Sequence, residues 1–434
     1  MKVMILGGGL SALSLAFFLQ NRKDIDEITL LEKEKSIGGL CRTFEFNGLK
    51  YDIGPHIIFS KDKEILDFMN ELLANNNEKH RRSNRILHGK KFIQYPFEND
   101  LSKLPEKDLS YCVNTFINNP YKKYDAQNML QFFLKTFGEG ITNLYLRPYN
   151  EKIWKFDPSF MDTQMVERIP QPAKEDILKS AAGDTVDGYT HQLYFSYPKE
   201  GGIEALLTAL REKLTDKVKI LTNKPVDAVY KTAYGFEVFA NGEKFVSDRL
   251  ISTIPLNTFT FAYRIEKPDE VVQAAKNLRY NSIAIAIINV KTDRSGDNYA
   301  FTLADSKIVF HRLSKLDFMG RNYHKNDSVT YMTEVTFRKN DHIDLMSDRE
   351  LIEKTIDGLK MIGFIDSKND VNFTVLNRYE HAYVVYDLAH KQNTSLLRDY
   401  FEAQGINLNG RFGSFEYLNM DAVIRQSKNL SEKF

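Results

Sequence analysis

The first sixty residues alternate between short apolar runs and polar or glycine-rich breaks. Lys2 to Leu6 is an apolar run that stops at Gly7-Gly8-Gly9, and Leu10 to Gln20 then repeats apolar residues at helical spacing. Glu27 to Leu31 is a second apolar run, and it ends at Glu32. The pattern predicts a strand, a tight turn, a helix and a second strand.

Later segments continue this mixture of strands and helices. Helical spacing of apolar residues predicts helices over Asp62 to Asn75, Met129 to Phe137, Ile203 to Leu214 and Asp348 to Met361. Apolar runs predict strands over Val218 to Leu221, Leu250 to Pro255, Ile283 to Val290, Ser328 to Val335 and Val371 to Leu376. Asn241-Gly242, between two such runs, predicts a hairpin with a type I′ turn. These elements indicate the α/β class.

The glycine turn after the first strand has the spacing of a dinucleotide-binding fingerprint. In Gly7-x-Gly9-x-x-Ala12, the missing side chains let backbone amides and the start of the helix approach a pyrophosphate. Glu32, at the end of the second strand, is placed to accept hydrogen bonds from ribose hydroxyls, which disfavours the 2′-phosphate of NADP. A plain structural turn is the alternative, since a glycine fingerprint alone is a weak signal.

A second glycine pair strengthens the dinucleotide interpretation. Gly38-Gly39-x-x-Arg42 follows Glu32 directly and adds a permanent cation where a diphosphate would lie. The alternative is a turn beside a solvated arginine. With Gly54-Pro55-His56 further on, the arrangement resembles the FAD-binding superfamily of amine oxidases, protoporphyrinogen oxidases and UDP-galactopyranose mutases.

Composition limits the other classes of function. The 434 residues carry a formal net charge of +1, which gives no general attraction to nucleic acid, and 42% hydrophobic residues suffice for more than one core. Cys41 and Cys112 cannot form a disulfide framework, and no cysteine and histidine cluster has zinc spacing, so a reducing cytoplasm and no metal are expected. Three glycines interrupt the apolar region at the start of the sequence, so no signal peptide is expected, and no uncharged apolar run is long enough for a membrane span.

One segment separates the branches of the superfamily. Tyr149, Trp154 five residues later and Arg168 fourteen residues after that match the UDP-galactopyranose mutases, in which these positions contact the base and the diphosphate. Aromatic faces suit a flat pyrimidine, and a guanidinium binds two phosphate oxygens at once. The alternative is that Tyr149 and Trp154 are core aromatics and that Arg168 is a surface charge.

The mutase resemblance implies further site residues. For the nucleotide sugar they are Tyr189, Arg312, Tyr383, Tyr417, Phe301 and Asn419, of which Arg312, Tyr383 and Tyr417 join Arg168 and His56 as the expected catalytic group. For the cofactor they are Gly7, Gly9, Leu10, Ser11, Glu32, Lys33, Gly39, Leu40, Arg42, Gly54, Pro55, His56, Val226, Arg411 and Met420. A buried core histidine remains the alternative reading of His56.

The resemblance also implies a domain organisation. A Rossmann-like FAD-binding domain is expected from residues 1–60, 195–260 and 390–434. Residues 61–194 are expected to form a mainly helical substrate and lid domain, with a candidate lid at Ala181 to Thr185. Residues 261–389 are expected to form an antiparallel sheet that covers the flavin.

The implied reaction interconverts the pyranose and furanose forms of a nucleotide-diphosphate hexose. In that family the reduced flavin N5 attacks the anomeric carbon and displaces the nucleoside diphosphate, so FAD must be reduced. The implied partners are a nucleotide-sugar substrate and an electron donor, either NAD(P)H or a flavin reductase, and a homodimer is left open. The absence of a carboxylate pair or a nucleophile triad agrees with such chemistry.

Three departures from the family pattern touch the sugar and diphosphate side. Phe301 aligns, with a one-residue gap, with a position at which the family has a tyrosine. Val384 occupies a position at which the family usually has a proline, and Asn419 replaces an aspartate that is common in bacterial members. They leave the sugar and the base open. Two rival functions also remain, an FAD-dependent oxidase or desaturase of the amine oxidase or protoporphyrinogen oxidase type and a non-catalytic nucleotide-sugar binding module.

Overall fold

Two large β-sheets with helices around them organise the chain in the computed structural model, which describes residues 1–169, 172–184, 186, 193–325 and 327–434. The strands are β1 Lys2–Leu6, β2 Glu27–Leu31, β3 Thr43–Phe46, β4 Leu49–Asp52, β5 Glu78–Arg81, β6 Asn84–His88, β7 Lys91–Gln94, β8 Tyr194–Tyr197, β9 Val218–Leu221, β10 Val226–Thr232, β11 Gly235–Ala240, β12 Glu243–Ser247, β13 Arg249–Ser252, β14 Tyr280–Val290, β15 Ala300–Leu303, β16 Arg312–Lys315, β17 Val329–Phe337, β18 Val371–Val384 and β19 Ile406–Leu408. The helices are α1 Leu10–Leu19, α2 Lys63–Leu73, α3 Glu106–Ile117, α4 Met129–Ile141, α5 Arg147–Trp154, α6 Lys174–Ala182, α7 Glu204–Glu212, α8 Leu256–Ala262, α9 Asp269–Asn277, α10 Asp348–Met361, α11 His390–Ala403 and α12 Met420–Lys433.

The first large sheet is parallel and contains the start of the chain. Its strand order is β19-β13-β1-β2-β9, and every neighbouring pair is parallel. The strands β1 and β2 are short apolar runs because both faces of this sheet are covered, α1 and α12 packing against each other on one side. The carboxyl end of β1 therefore leads directly into the glycine turn and α1.

The second large sheet forms the opposite wall of the cavity described below. Its order is β18-β14-β17-β16-β15-β6-β7, with antiparallel pairing throughout except between β15 and β6. The long strands β14 and β17 are almost entirely buried. This burial explains the near-continuous apolar sequence of β14 and the mixture of apolar residues and threonines in β17.

The α/β class predicted from the sequence is confirmed. The hairpin is also confirmed, because β11 and β12 pair antiparallel and the turn residues Asn241 and Gly242 have φ of 51° and 75°. No helix among the described residues is long and apolar enough to cross a membrane.

The segment expected to be mainly helical also contributes strands. Strand β5 pairs with β8, whereas β6 and β7 extend the second large sheet beyond β15. These strands are short and largely polar, as strands near sheet edges commonly are, so their apolar periodicity is too weak to read from sequence. The three domain boundaries stay predictions.

Candidate functional site

Two glycine turns meet at the start of α1. Gly9 forms a parallel bridge with Gly38, and the Gly38 N–H donates to the Gly8 carbonyl at 2.8 Å. A Cβ added to Gly7, which has φ of +107°, would lie 2.4 Å from Thr253 Oγ1. The backbone here runs so close to its neighbours that side chains are excluded, which is the shape that a pyrophosphate cradle requires.

The acid at the end of β2 is tied into the same cradle. Glu32 is 7% exposed, and its carboxylate accepts hydrogen bonds from the Gly8 N–H at 2.7 Å and the Glu34 N–H at 2.9 Å. A carboxylate has about four lone-pair directions, so ribose hydroxyls can still donate to it. Lys33 instead points to solvent, with a side chain 71% exposed and 3.8 Å from Glu34.

The returning C-terminal segment closes the cradle from the other side. Asn409 Nδ2 donates to Ser11 Oγ at 2.8 Å, and a Cβ on Gly410 would lie 2.5 Å from the same hydroxyl. Ser11 therefore anchors this segment to α1. Arg42 lies at the second glycine turn, where its Nε donates to the Gly39 carbonyl at 2.9 Å. Close backbone, a buried acid and a nearby cation all fit FAD.

Most of the remaining cofactor residues meet in one cavity. The cavity has a volume of about 340 Å³ and lies where the loop after β4, the second large sheet and the start of α12 come together. It brings together ten residues predicted from the sequence: Leu40, Gly54, Pro55, His56, Arg312, Tyr383, Arg411, Tyr417, Asn419 and Met420. Leu10, at the start of α1, and Val226, at the start of β10, do not line it.

A buried ion pair dominates one wall of this cavity. Arg312 and Glu334 are cross-strand partners in β16 and β17, so both side chains project from the same face of the sheet. Arg312 donates to both carboxylate oxygens, with Nη2 2.6 Å from Oε2, and Glu334 is fully buried. Tyr383 donates to the same carboxylate at 3.3 Å and lies 3.4 Å from Arg312 Nη2. Glu334 thus fixes the orientation of Arg312.

The charges in this wall are set by their partners. Burial favours the neutral form of Arg312, but the facing Glu334 carboxylate outweighs it and holds the pKa of Arg312 well above its usual value. Burial, together with Glu334, raises the pKa of Tyr383 well above the ordinary value. At neutral pH the wall therefore presents a guanidinium and, beside it, a neutral phenol whose one O–H donates to Glu334.

Aromatic rings extend the wall. Trp154 meets Tyr383 and Tyr417 edge to face, with ring centroids 5.9 Å and 5.7 Å apart, and Tyr383 stacks on Tyr417 at 5.8 Å. The indole N–H of Trp154 donates to Asn150 at 2.9 Å, so it is held by its own helix. Tyr149 stacks on Tyr145 at 5.3 Å. Trp154 consequently supports the tyrosines that line the cavity.

The other side of the cavity carries His56 and Arg411. Burial, with the Arg411 cation nearby, lowers the pKa of His56 to about 3, so its ring is neutral near pH 7. His56 Nδ1 is buried and has no hydrogen-bond partner among the described residues. The guanidinium of Arg411 lies 5.0 Å from the Tyr417 ring and donates to the Leu418 and Ala382 carbonyls. His56 thus offers an unused polar atom to a ligand.

One residue that the resemblance assigned to the substrate does not line the cavity. Phe301 is 1% exposed and packs in a separate apolar cluster against Phe92 and Phe364, both at 5.0 Å. The cavity is lined instead by Tyr299 and Ala300, immediately upstream. Successive residues of a strand face opposite sides, so in β15 Ala300 lines the cavity while Phe301 lies in the apolar cluster, and a one-residue alignment error exchanges the two.

Two further predictions fall where the structure gives no description. The side chain of Arg168 and the whole of Tyr189 lie outside the described residues, as does Thr185 of the candidate lid. Their roles stay predictions. The described part of that lid segment is the end of α6, followed by Gly183 in a left-handed conformation.

Sequence reasoning missed several residues that line the cavity, among them the polar side chains of Arg82, Asn84, Tyr299 and Glu334. Glu334 had a readable signal, since it is the one acid in the buried strand β17. Arg82 had none, because it ends a polar, basic stretch that resembles an ordinary surface connection. Among the described residues, no group of three or more His, Cys, Asp or Glu could hold a metal ion.

Comparisons with known proteins agree with this architecture. UDP-galactopyranose mutase of Mycoplasma genitalium is 23% identical over 49% of this chain, and the match spans about half (52%) of that relative. Coproporphyrinogen III oxidase of Bacillus subtilis is 21% identical over 98% of this chain and 96% of its own length. A crystal structure of reduced UDP-galactopyranose mutase has a TM-score of 0.91 and 24% identity, covering 99% of this chain and 94% of that one.

A family model gives the broadest statement. The model of the flavin-containing amine oxidoreductases matches residues 10–393. That span includes the second glycine turn with Glu32, the ion pair, and Trp154 and Tyr383 of the aromatic wall, whereas Gly7–Gly9 and Tyr417 lie outside it. With a cradle that fits the cofactor, the chain is an FAD enzyme and belongs to the flavin-containing amine oxidoreductase family.

Proposed function

We propose that this enzyme interconverts the pyranose and furanose forms of a nucleotide-diphosphate hexose, UDP-galactopyranose or a related UDP or dTDP sugar, with FAD in its reduced state. The observation that carries the proposal is the wall of Arg312, Tyr383 and Tyr417, which shares one cavity with the His56 loop. A wall of fixed donors suits a diphosphate that departs and returns.

The ion pair prepares Arg312 for this task. Its Nε and Nη2 donate to Glu334, which leaves the N–H groups of Nη1 to point elsewhere. Because Glu334 fixes the guanidinium plane, little side-chain entropy is lost when phosphate oxygens bind. Tyr383 and Tyr417 line the same cavity, and Tyr383 can exchange its hydrogen bond to Glu334 for one to an oxygen of the leaving diphosphate.

The rest of the cavity orients the sugar and excludes water. When bound, reduced FAD supplies a nucleophilic nitrogen for the anomeric carbon. The imidazole of His56 is neutral and adds no charge at the expected flavin loop. The stacked rings of Tyr383 and Tyr417, supported by Trp154, give the cavity an aromatic side that keeps water from the opened sugar.

The comparisons support this proposal and also name its strongest rival. Two relatives are UDP-galactopyranose mutases, but each match covers half of this chain or less. The Bacillus coproporphyrinogen oxidase matches over nearly the full length. An oxidase of this kind needs an electron acceptor such as oxygen and a site for a large macrocycle. The cations of Arg312 and Arg411, together with tyrosines in a small cavity, favour a sugar diphosphate.

The test is an anaerobic assay with dithionite-reduced holoenzyme and a panel of UDP and dTDP hexopyranoses. We expect a furanose isomer, detected by NMR, from reduced enzyme alone, with oxidised enzyme as the control. Arg312→Gln should lower kcat/KM by roughly 30- to 1000-fold through lost charge stabilisation. Arg378→Gln is the matched control, since Arg378 belongs to the same sheet but pairs with Asp348 outside the cavity.

The contrary result is equally clear. No isomer with any sugar, combined with oxygen uptake that depends on coproporphyrinogen III, would assign the enzyme to the oxidase branch. Unchanged turnover by Arg312→Gln would remove the ion pair from the mechanism.

A further inference from the structure

A second polar wall lines the cavity and has no role in the proposed mechanism. It consists of Arg82, Asn84 and Tyr299. Arg82 Nε and Nη2, Asn84 Oδ1 and the Tyr299 hydroxyl are all buried and have no hydrogen-bond partner among the described residues. Buried polar groups rarely remain unpaired, because each lost hydrogen bond costs free energy. Their clustering at one cavity therefore indicates a polar ligand.

The backbone holds this wall rigidly. The Arg82 N–H donates to the Leu193 carbonyl at 2.7 Å, and the Tyr299 N–H donates to the Ser83 carbonyl at 2.8 Å. Asn298, next to Tyr299, accepts hydrogen bonds from the Ser83 hydroxyl and Arg85 Nε, both at 2.9 Å. The loop before β15 and the start of β6 are thus joined, which holds together the backbone segments that carry Arg82, Asn84 and Tyr299.

Charge distinguishes this wall from the first. Arg312 has a carboxylate counterion in Glu334, whereas the described residues supply Arg82 with no carboxylate partner. Burial lowers the pKa of Arg82, and the Arg312 cation also contributes, although an arginine keeps its proton at any physiological pH. A charged, partly desolvated guanidinium without a counterion is a strong site for an anion.

The position of Arg82 indicates which part of a ligand it meets. Its guanidinium lies 4.8 Å from the ring of Phe59, three residues after His56 on the loop expected to face the flavin. The Arg312 wall already suits the diphosphate. The Arg82 wall therefore lies next to the His56 loop, where the reacting sugar is expected to approach the cofactor.

We propose that Arg82, Asn84 and Tyr299 bind a carboxylate on the sugar, so that the substrate is a nucleotide hexuronate. This inference rests on the proposed function and specifies its substrate class. Arg82 donates two parallel hydrogen bonds to the carboxylate and the Tyr299 hydroxyl donates a third, while Asn84 Oδ1 accepts from a neighbouring sugar hydroxyl.

Binding measurements on the FAD holoenzyme test the inference independently of turnover. Calorimetry would compare UDP, UDP-galactose and UDP-galacturonate with wild type, Arg82→Gln, Arg82→Lys and Arg81→Gln. Arg81 is the matched control, because it is adjacent but exposed and outside the cavity. Thermal unfolding and FAD content establish that each variant is folded.

We expect wild type to bind UDP-galacturonate more tightly than UDP-galactose. Arg82→Gln should weaken UDP-galacturonate by roughly 10- to 100-fold and leave UDP and UDP-galactose within about threefold. Arg82→Lys should recover part of the loss, since charge remains but the planar fork does not. Arg81→Gln should bind all three ligands like wild type.

Other results would overturn the inference in recognisable ways. Equal weakening of all three ligands by Arg82→Gln would assign Arg82 to the nucleotide or diphosphate, and no weakening would remove it from binding. In either case isomerisation of a neutral sugar by reduced enzyme would leave the proposed function intact. Failure of the holoenzyme to bind any of the nucleotides, together with Arg82-dependent binding of coproporphyrinogen III, would reject both.

Discussion

The cofactor end and the substrate end of this site are built in different ways. The cofactor end is made of backbone from glycine turns. Glu32 accepts a hydrogen bond there from the N–H of Gly8, which is only 24 residues away in the chain. The substrate end is made of side chains on separate strands, such as Arg312 and Glu334, or Arg82 and Tyr299. The first depends on conformations that glycine permits, and the second on charges that the fold brings together.

The largest effect should come from breaking the ion pair. Glu334→Ala leaves the partly buried Arg312 guanidinium, whose side chain is 30% exposed, without its carboxylate and should lower the free energy of unfolding by about 3 to 4 kcal/mol. Urea unfolding would measure it. The double variant Arg312→Met, Glu334→Leu should recover most of that stability without activity, and both proteins should retain FAD. Loss of FAD from the single variant would contradict the separation of the two ends.

A glycine substitution in the cradle should instead weaken the cofactor end of the site. Gly7→Ala combines a positive φ with a Cβ 2.4 Å from Thr253 Oγ1, so it should cost roughly 2 to 4 kcal/mol and reduce FAD content. Gly242→Ala is the matched control, since it also has positive φ but no atom within 4 Å of the added Cβ. Equal losses in both variants would mean that backbone strain, and not the cradle, sets the effect.

The contribution of His56 depends on pH. Its folded pKa of about 3 lies below the ordinary 6.5, so under acidic conditions the unfolded chain takes up a proton that the folded protein does not. The associated stability is complete above pH 6.5 and is lost as the pH falls toward 3. From pH 7 to pH 5 the loss should be about 2 kcal/mol.

The variant His56→Gln isolates this dependence. Its unfolding free energy should fall less than that of wild type between the two pH values, by about that 2 kcal/mol difference. Exposed His342→Gln should follow wild type. Identical pH dependence in all three proteins would show that the His56 ring is more accessible to solvent than the cavity indicates.

The smallest effect should come from Lys33. Its side chain is 71% exposed beside Glu34, so Lys33→Gln should change stability by less than about 0.5 kcal/mol and leave FAD content unchanged. Flavin absorbance of the purified protein would measure the second quantity. A clear loss of FAD would instead support the role in cofactor binding that the mutase resemblance implied for Lys33.

The same contrast explains what the sequence could predict. The strand, glycine turn, helix and Glu32 lie within one short segment, so local periodicity and spacing specify them. The partnership of Arg312 with Glu334 depends on the register of β16 and β17, which a single sequence does not encode visibly. Phe301 illustrates the limit, because a shift of one residue along β15 exchanges the cavity residue Ala300 for a core residue.

The clasp between Asn409 and Ser11 has a consequence for the order of assembly. These residues are 398 positions apart, yet their side chains lie 2.8 Å apart, and Ser14 meets Ser427 in the same way at 3.0 Å. During synthesis the glycine turn emerges long before the segment that closes it. Secure retention of the cofactor is therefore expected only after translation of the closing segment, as a late event that follows long-range chain closure.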